Sequence, residues 1–214
     1  MRSAALGFFV GTGSRAESDD QAGLSHLLEH LLFRGTASYS SLEIDQLFDT
    51  MGAELNAGTG KETTSVYARV LDRHLPRAFD VVADMVWRPL IADVDIEREV
   101  ILQEIAMYED DPQDTVFDVL GRAVFGDHPL GRAVIGRAEV IRRAQRQEIA
   151  DFHDARYVPG NVVIAAAGSV DHDGLVAMAR DSGPSAGGEA PSSGGPPEPG
   201  EPTVLFERKD TEQY

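Results

Sequence analysis

Leu24-Ser25-His26-Leu27-Leu28-Glu29-His30-Leu31-Leu32-Phe33 is the stretch that decides the fold and the chemistry of this chain. In a helix with 3.6 residues per turn, His26, Glu29 and His30 project from one side, and leucines cover most of the remaining surface. The leucines predict a largely buried helix. Because two imidazoles and a carboxylate are costly to bury without partners, the pattern indicates that something binds their polar face.

The spacing of these polar residues is that of a metal site. Two imidazoles one helical turn apart can hold a single ion at about 2.0–2.1 Å, and the carboxylate between them can reach a water bound to that ion. The order H-x-x-E-H is the inverzincin motif, the inverse of H-E-x-x-H. The alternative is a solvated helix face, and a lone histidine on such a face is more often structural than a ligand. The complete motif between leucines favours the metal.

Composition limits the other possibilities. The chain has 214 residues, 42% of them hydrophobic, which suffices for one substantial domain or two small ones. Because it lacks cysteine, disulfides are excluded and a zinc ion would be held by histidine and carboxylate. A net charge of −17 disfavours nucleic acid and anionic membrane surfaces as partners. Without a long apolar run or a signal-peptide pattern, we expect a cytoplasmic protein without a membrane partner.

The segments next to the metal helix have clear start and stop signals. Residues 4–11 form an apolar run that predicts a buried strand, and Asp19 or Asp20 is the expected N-cap of the metal helix. Ser40 and Glu43 form a capping box for the next helix, with Gly52 after its end. The remaining predicted strands are at 54–59, 63–71 and 161–168. The remaining predicted helices are one that follows the strand at 63–71 and stops at 88–89, and those at 93–109, 115–125, 139–156 and 173–180.

Two of these elements carry further expectations. In the helix at 93–109, Glu97 and Glu104 lie about two turns apart and share a face. The strand at 161–168 is rich in valine and alanine, which predicts burial on both sides. The residues of the 93–109 helix that we expect to face the core are Ile96, Val100, Ile101 and Ile105.

The C-terminal part changes in composition. Residues 182–202 consist mainly of Gly, Pro, Ser and Glu, which bury too little apolar surface to order themselves, so they predict a flexible linker. We therefore expect a catalytic domain over residues 1–181, a linker over 182–202, and the start of a further strand region over 203–214, with a strand at 203–206.

Several segments together resemble the insulinase and pitrilysin family of zinc peptidases. The similarity is greatest to the branch of the mitochondrial processing peptidase beta subunit and its bacterial relatives. The block 23–36 is similar to the family signature almost throughout. The other segments that resemble the family are 54–57, 61–64, 96–105, 128–131, 157–161 and 210–213.

The resemblance assigns roles to particular residues. It implies one zinc ion per chain, bound by His26, His30 and Glu104, with Glu29 as general base. Glu97 falls where the family has a second acidic residue near the site, and we include it with Glu29 among the catalytic candidates. For Glu97, and more so for Glu99, the alternative is a solvated helix face.

The same resemblance implies a fold and a substrate. The expected fold class is α+β, with a mixed or antiparallel sheet packed by helices. Asn56 and Ala57 lie in the segment that resembles the substrate-binding strand, so we expect them on an exposed sheet edge beside the zinc, where an extended peptide adds as a strand.

The function that follows is hydrolysis of extended peptides by a zinc-dependent endopeptidase. Family members have earlier strands and a second, similar half that closes over the substrate, so we expect this chain to be one truncated catalytic half with a homologous half or subunit as partner. The alternative is a non-catalytic or truncated subunit that binds peptide or partner without turnover.

Overall fold

A four-stranded antiparallel sheet lies at the centre of the protein. The computed structural model describes residues 2–184, 187–189, 191–198 and 203–208. The strand order is β2-β3-β1-β4, so within the described chain β2 and β4 are the edges. The strands are β1 (Ser3–Val10), β2 (Glu54–Thr59), β3 (Thr64–Leu71) and β4 (Val162–Gly168).

Helices cover one face of this sheet, which confirms the α+β class. Phe8 and Val66 point from the sheet into the core, where α3 packs on β1 and β3. The helices are α1 (Leu24–Leu31), α2 (Ser41–Met51), α3 (Leu75–Trp87), α4 (Val94–Asp110), α5 (Pro112–Phe125), α6 (Ala138–Arg143), α7 (Arg146–Arg156) and α8 (His172–Ser182).

The local signals around α2 are confirmed. Ser40 caps α2 by accepting from the N–H of Glu43, and the Glu43 carboxylate accepts from the N–H of Ser40. Gly52 ends the helix with a φ of 59°, a left-handed conformation that glycine adopts without a Cβ penalty. The chain then enters β2 and β3, which form a hairpin in which Thr59 pairs with Thr64.

The expectation for the strand at 161–168 was wrong. β4 is an edge strand whose side chains alternate between partly buried and exposed, and Val163 is 65% exposed. Val163 lies opposite Phe9 of β1, which is also on the open face of the sheet. Valine and alanine suit a strand with either one or two covered faces, so composition alone did not distinguish them.

The N-cap of α1 differs from the prediction. Asp19 and Asp20 belong to a separate 3₁₀ turn, and Gly23 precedes the helix with a φ of 104°. The two carboxylates pair instead with Arg132 and Arg143. These arginines are more than a hundred residues away, so local sequence could not reveal the competition.

The single helix predicted over residues 139–156 is two helices. The chain is extended at Ala144 and Gln145, between α6 and α7. The guanidinium of Arg98 donates to the carbonyls of Ile141 and Ala144 at 3.1 and 2.7 Å. These contacts satisfy carbonyls at the end of α6, where the helix leaves them without partners. Helix α5, earlier in the chain, begins three residues before the predicted start, at Pro112.

The core-facing side of α4 was partly mispredicted. Ile101 and Ile105 are buried as expected, but Ile96 is 56% exposed and Val100 is 38% exposed. Glu97 takes a buried place on the inner face instead. The tertiary partners of this carboxylate, described below, offset the cost of burying it, so the inner face of α4 is not purely apolar.

The C-terminal predictions are only partly covered. Described residues 187–189 and 191–198 of the predicted linker have no helix or strand, and the same holds for 203–208, where we expected a strand. Phe206 is 95% exposed there, so no apolar packing stabilises an added strand. Segment 210–213 lies outside the described residues, and the domain boundaries stay predictions. Among the described residues, no helix is long and apolar enough to cross a bilayer.

Candidate metal centre

Helix α1 fixes the two histidines by burying the rest of its surface. Leu27, Leu28 and Leu31 are fully buried in the core. The imidazoles of His26 and His30 lie side by side on the remaining face, with ring centroids 4.8 Å apart. The sequence pattern placed these two side chains correctly because both lie on one regular element.

Glu104 of α4 completes a group of three ligand atoms. Its Oε2 lies 3.7 Å from Nε2 of His26 and 3.6 Å from Nε2 of His30. Ligand atoms bound tetrahedrally to zinc at 2.0–2.1 Å are roughly 3.4 Å apart, so these separations fit one ion. The same Oε2 is buried and accepts no hydrogen bond from the described residues, as expected for an atom that faces a cation.

A second acidic residue, Glu97, contacts the ring nitrogen of His30 that does not face Glu104. Oε2 of Glu97 lies 2.9 Å from Nδ1 of His30, and the other carboxylate oxygen pairs with Arg34. A carboxylate in this position holds the Nδ1–H tautomer and leaves Nε2 free to bind a metal. Glu97 is only 2% exposed, so it does not lie on a solvated face. Its contact is with the candidate ligand His30. Glu99, by contrast, is exposed.

His26 is held in a form that can bind a metal. Burial, with a smaller contribution from the neighbouring charge of His30, lowers the pKa of His26 to about 4. His26 is therefore neutral near pH 7, and a metal would not have to displace a proton from it. In geometry and donor type, His26, His30 and Glu104 fit a zinc ion.

Glu29 lies next to the ligand group and has its own partner. The hydroxyl of Thr59, at the end of β2, donates to Oε2 of Glu29 at 2.5 Å. Burial raises the pKa of Glu29, whereas this hydrogen bond lowers it. A carboxylate that is partly desolvated and fixed by one hydrogen bond is suited to accept a proton.

Sequence reasoning missed Thr59. It lies between two glycines at the end of the predicted strand 54–59, where the pattern assigned no functional role. The available signal was the register, because Thr59 is the last residue of β2 and this strand packs against α1. The strand direction that brings the hydroxyl to Glu29 is a tertiary feature.

Asn56 and Ala57 lie on β2, which pairs with β3 alone among the described strands. The side chain of Asn56 is exposed, and its Oδ1 accepts from the N–H of Ala57 at 2.8 Å. The open edge of β2 is thus next to the ligand group, because Thr59 of the same strand contacts Glu29.

A cleft of about 690 Å³ opens over the ligand group. His26, Glu29 and Glu104 line it. It is also lined by α5, the N-cap of this helix and the loop that follows it, which contribute apolar and acidic groups. The residues of this second part of the lining are Asp111, Asp114, Phe117, Asp118, Val134 and Ile135.

Comparison with known families identifies the class of protein. Residues 1–138 match the model of the insulinase family, peptidase family M16, and residues 143–213 match the model of the peptidase M16 inactive domain. The chain belongs to the M16 peptidase family. The three candidate ligands and Glu29 all lie within the first match.

Similar proteins include zinc proteases. The chain is 50% identical over 183 residues to an uncharacterized zinc protease of Mycobacterium tuberculosis, covering 85% of this chain and 42% of that protein. It is 37% identical over 177 residues to the beta subunit of the mitochondrial-processing peptidase of Bos taurus, covering 82% of this chain and 36% of that protein. The chain thus spans about two-fifths of the length of these relatives.

Solved structures share the fold. A protease from Helicobacter pylori superposes with a TM-score of 0.81 at 21% identity, over 85% of this chain and 45% of that one. A peptidase M16 inactive domain from Pseudomonas fluorescens gives a TM-score of 0.83 at 24% identity, over 94% of this chain and 50% of that one. The fold therefore occurs in chains about twice as long.

Proposed function

We propose that this chain is the zinc-binding half of a metalloendopeptidase that hydrolyses extended peptides. The observation that carries the proposal is the placement of Glu29 beside three ligand atoms that all lie within 4.8 Å of one another. Membership of the M16 family and the similarity to zinc proteases support it.

His26, His30 and Glu104 would hold one zinc ion. Such an ion would supply a Lewis acid that makes water a stronger nucleophile and polarises a peptide carbonyl. Glu29 accepts the proton of the attacking water and later delivers it to the leaving amine. Thr59 holds Oε2 of Glu29, so the other carboxylate oxygen takes the proton.

The open edge of β2 would bind the substrate. An extended peptide can add to this edge through main-chain hydrogen bonds, which tolerate many side chains. The N–H of Ala57 would exchange its bond with the Asn56 side chain for one with the substrate carbonyl. A peptide bound in this way runs past Thr59 and so brings a carbonyl to the ligand group.

A second homologous half would complete the enzyme. The relatives are more than twice as long as the region they share with this chain. The cleft over the ligand group is partly open to solvent, and a closing half would exclude water from it and order the substrate. We therefore expect weak turnover by this chain alone and faster turnover with the missing half.

Zinc content and peptide cleavage test the proposal. The chain should bind one zinc ion and, together with the polypeptide encoded immediately downstream, cleave a quenched fluorescent peptide library. Glu104→Gln should lower zinc affinity strongly, whereas Glu99→Gln, an exposed acid on the same helix, should not. Stoichiometric zinc without cleavage under either condition would instead favour a non-catalytic binding subunit.

A further inference from the structure

Glu17 is a buried carboxylate that the chemistry above does not use. It is 4% exposed and lies in the loop before α1. One carboxylate oxygen accepts from the N–H of Gly23 at 2.9 Å, and the other accepts from the N–H of Ser25 at 2.8 Å. A single side chain therefore accepts hydrogen bonds from the N-cap residue of α1 and from a residue in the first turn of this helix.

Helix α1 needs such a partner. The first N–H groups of any helix have no acceptor within the helix, and N-cap side chains usually supply one. The N-cap of α1 is Gly23, which has no side chain to do so. Because Leu24 and Ser25 are buried, water has little access to this end of the helix. Glu17 supplies the acceptors from outside the helix.

The loop that carries Glu17 is held in turn by two arginines from distant elements. Arg132 donates to the carbonyls of Ser14 and Glu17 at 2.9 and 2.8 Å, and Arg156 of α7 donates to the carbonyl of Ala16 at 3.0 Å. The carbonyl of Arg132 also accepts from Lys61 at the rim of the cleft. Burial raises the pKa of Glu17 to about 7, although the two amides and the charge of Arg132 act in the opposite direction.

We propose that Glu17 is a positioning residue for the metal centre: it fixes the N-terminal end of α1 and thereby sets the place of His26 relative to Glu104. This inference rests on the proposed zinc site. The ligand atoms come from two helices, so a small shift of α1 along its axis changes the distances from both imidazoles to Glu104. Loss of the Glu17 contacts should therefore weaken zinc binding even when the protein remains folded.

Glu17→Gln tests this with little change in volume. The amide can accept one of the two bonds, but its NH₂ group then faces the other helix N–H. We expect zinc affinity, measured by competition with a chelating dye, to fall about tenfold, the order of effect seen for groups that orient ligands. The d–d spectrum of bound Co²⁺ should change with it, because the ligand geometry changes.

Asp84→Asn is the matched control. Asp84 is also buried, accepts from the backbone N–H of Ser38 at 3.2 Å and pairs with an arginine, Arg88, but it lies on α3, which supplies no ligand. Its replacement should leave zinc affinity and the Co²⁺ spectrum unchanged. An equal loss in both variants would mean that Glu17 acts only through general stability and would overturn the proposal.

Two further measurements do not depend on folding of the glutamine variant. In the wild-type chain, the amides of Gly23 and Ser25 should exchange slowly with solvent, and fast exchange would refute the contact. Arg132→Lys keeps Glu17 but loses the forked bonds to its loop, so it should reduce both this protection and zinc affinity, by less than Glu17→Gln. Absence of zinc binding by the wild type would overturn the proposed function itself, whereas undiminished affinity in Glu17→Gln would overturn only the role of Glu17.

Discussion

The two walls of the cleft differ in how completely they are built. On the α1 wall, the leucines are fully buried, and His30 and Glu29 each have a hydrogen-bond partner. On the α5 wall, none of the side chains of the helix is buried within the described structure. The large apolar residues that α5 exposes are Val116, Phe117, Leu120 and Val124.

The two walls are suited to different tasks, the packed wall to holding ligands and the open wall to enclosing a substrate. A metal site needs ligands held within a fraction of an ångström, and a densely packed helix provides this. Enclosure of a substrate needs a surface that can be covered, and an apolar helix face without a partner is of that kind. The chain thus contains a densely packed wall that carries the candidate ligands and an open wall, which agrees with a fold that recurs in longer proteins.

The largest expected effect on the α1 wall comes from substitution of the proposed base, Glu29. Glu29→Gln leaves the three ligands in place but cannot accept a proton, so zinc should stay bound while kcat falls about 10³-fold. Steady-state cleavage and metal analysis of the completed enzyme would show both effects. Loss of zinc in this variant would mean that Glu29 is a ligand.

The buried Glu17 predicts a pH dependence of stability. Its pKa of about 7 lies above the ordinary value of 4.5, so between these values the folded chain holds a proton that the unfolded chain releases. This group therefore stabilises the fold most below pH 4.5, and the contribution falls by about 3 kcal/mol as pH rises to about 7. Urea unfolding of the zinc-free chain should show this loss relative to Glu17→Gln, and parallel pH profiles would contradict it.

Substitution of Glu97 tests whether the carboxylate that contacts His30 contributes to zinc affinity. Glu97→Gln keeps the shape but loses the charge that holds the Nδ1 proton of His30, so zinc affinity should fall by about 10–100-fold. Isothermal titration with zinc would measure it. Glu99→Gln on the same helix is the control, and an equal change in both would exclude a specific contact.

The smallest effect is expected on the α5 wall. Phe117 is 70% exposed, so Phe117→Ala should change the free energy of unfolding by no more than about 0.5 kcal/mol. Leu28→Ala on the fully packed α1 wall should cost about 2–5 kcal/mol. Denaturant unfolding of both variants would show the contrast, and a large loss for Phe117→Ala would mean that the open wall is already packed.

Local sequence determined the elements whose signals are contained within a few residues. The helical spacing of His26, Glu29 and His30, the capping box at Ser40 and the strands at 54–59 and 63–71 were all predicted from local patterns. Each depends on periodicity or on a contact within one turn, so no distant residue could alter it.

Tertiary structure decided what lies opposite these elements. The sequence placed Glu97 and Glu104 on one face of a helix, but only packing of α4 against α1 makes Glu97 a partner of His30. The hydroxyl of Thr59 likewise reaches α1 from β2, and the carboxylate of Glu17 reaches it from the preceding loop, whose position distant arginines fix. Sequence patterns report the periodicity of a single element, whereas these contacts depend on how elements are oriented in space, which is set by burial of the whole core.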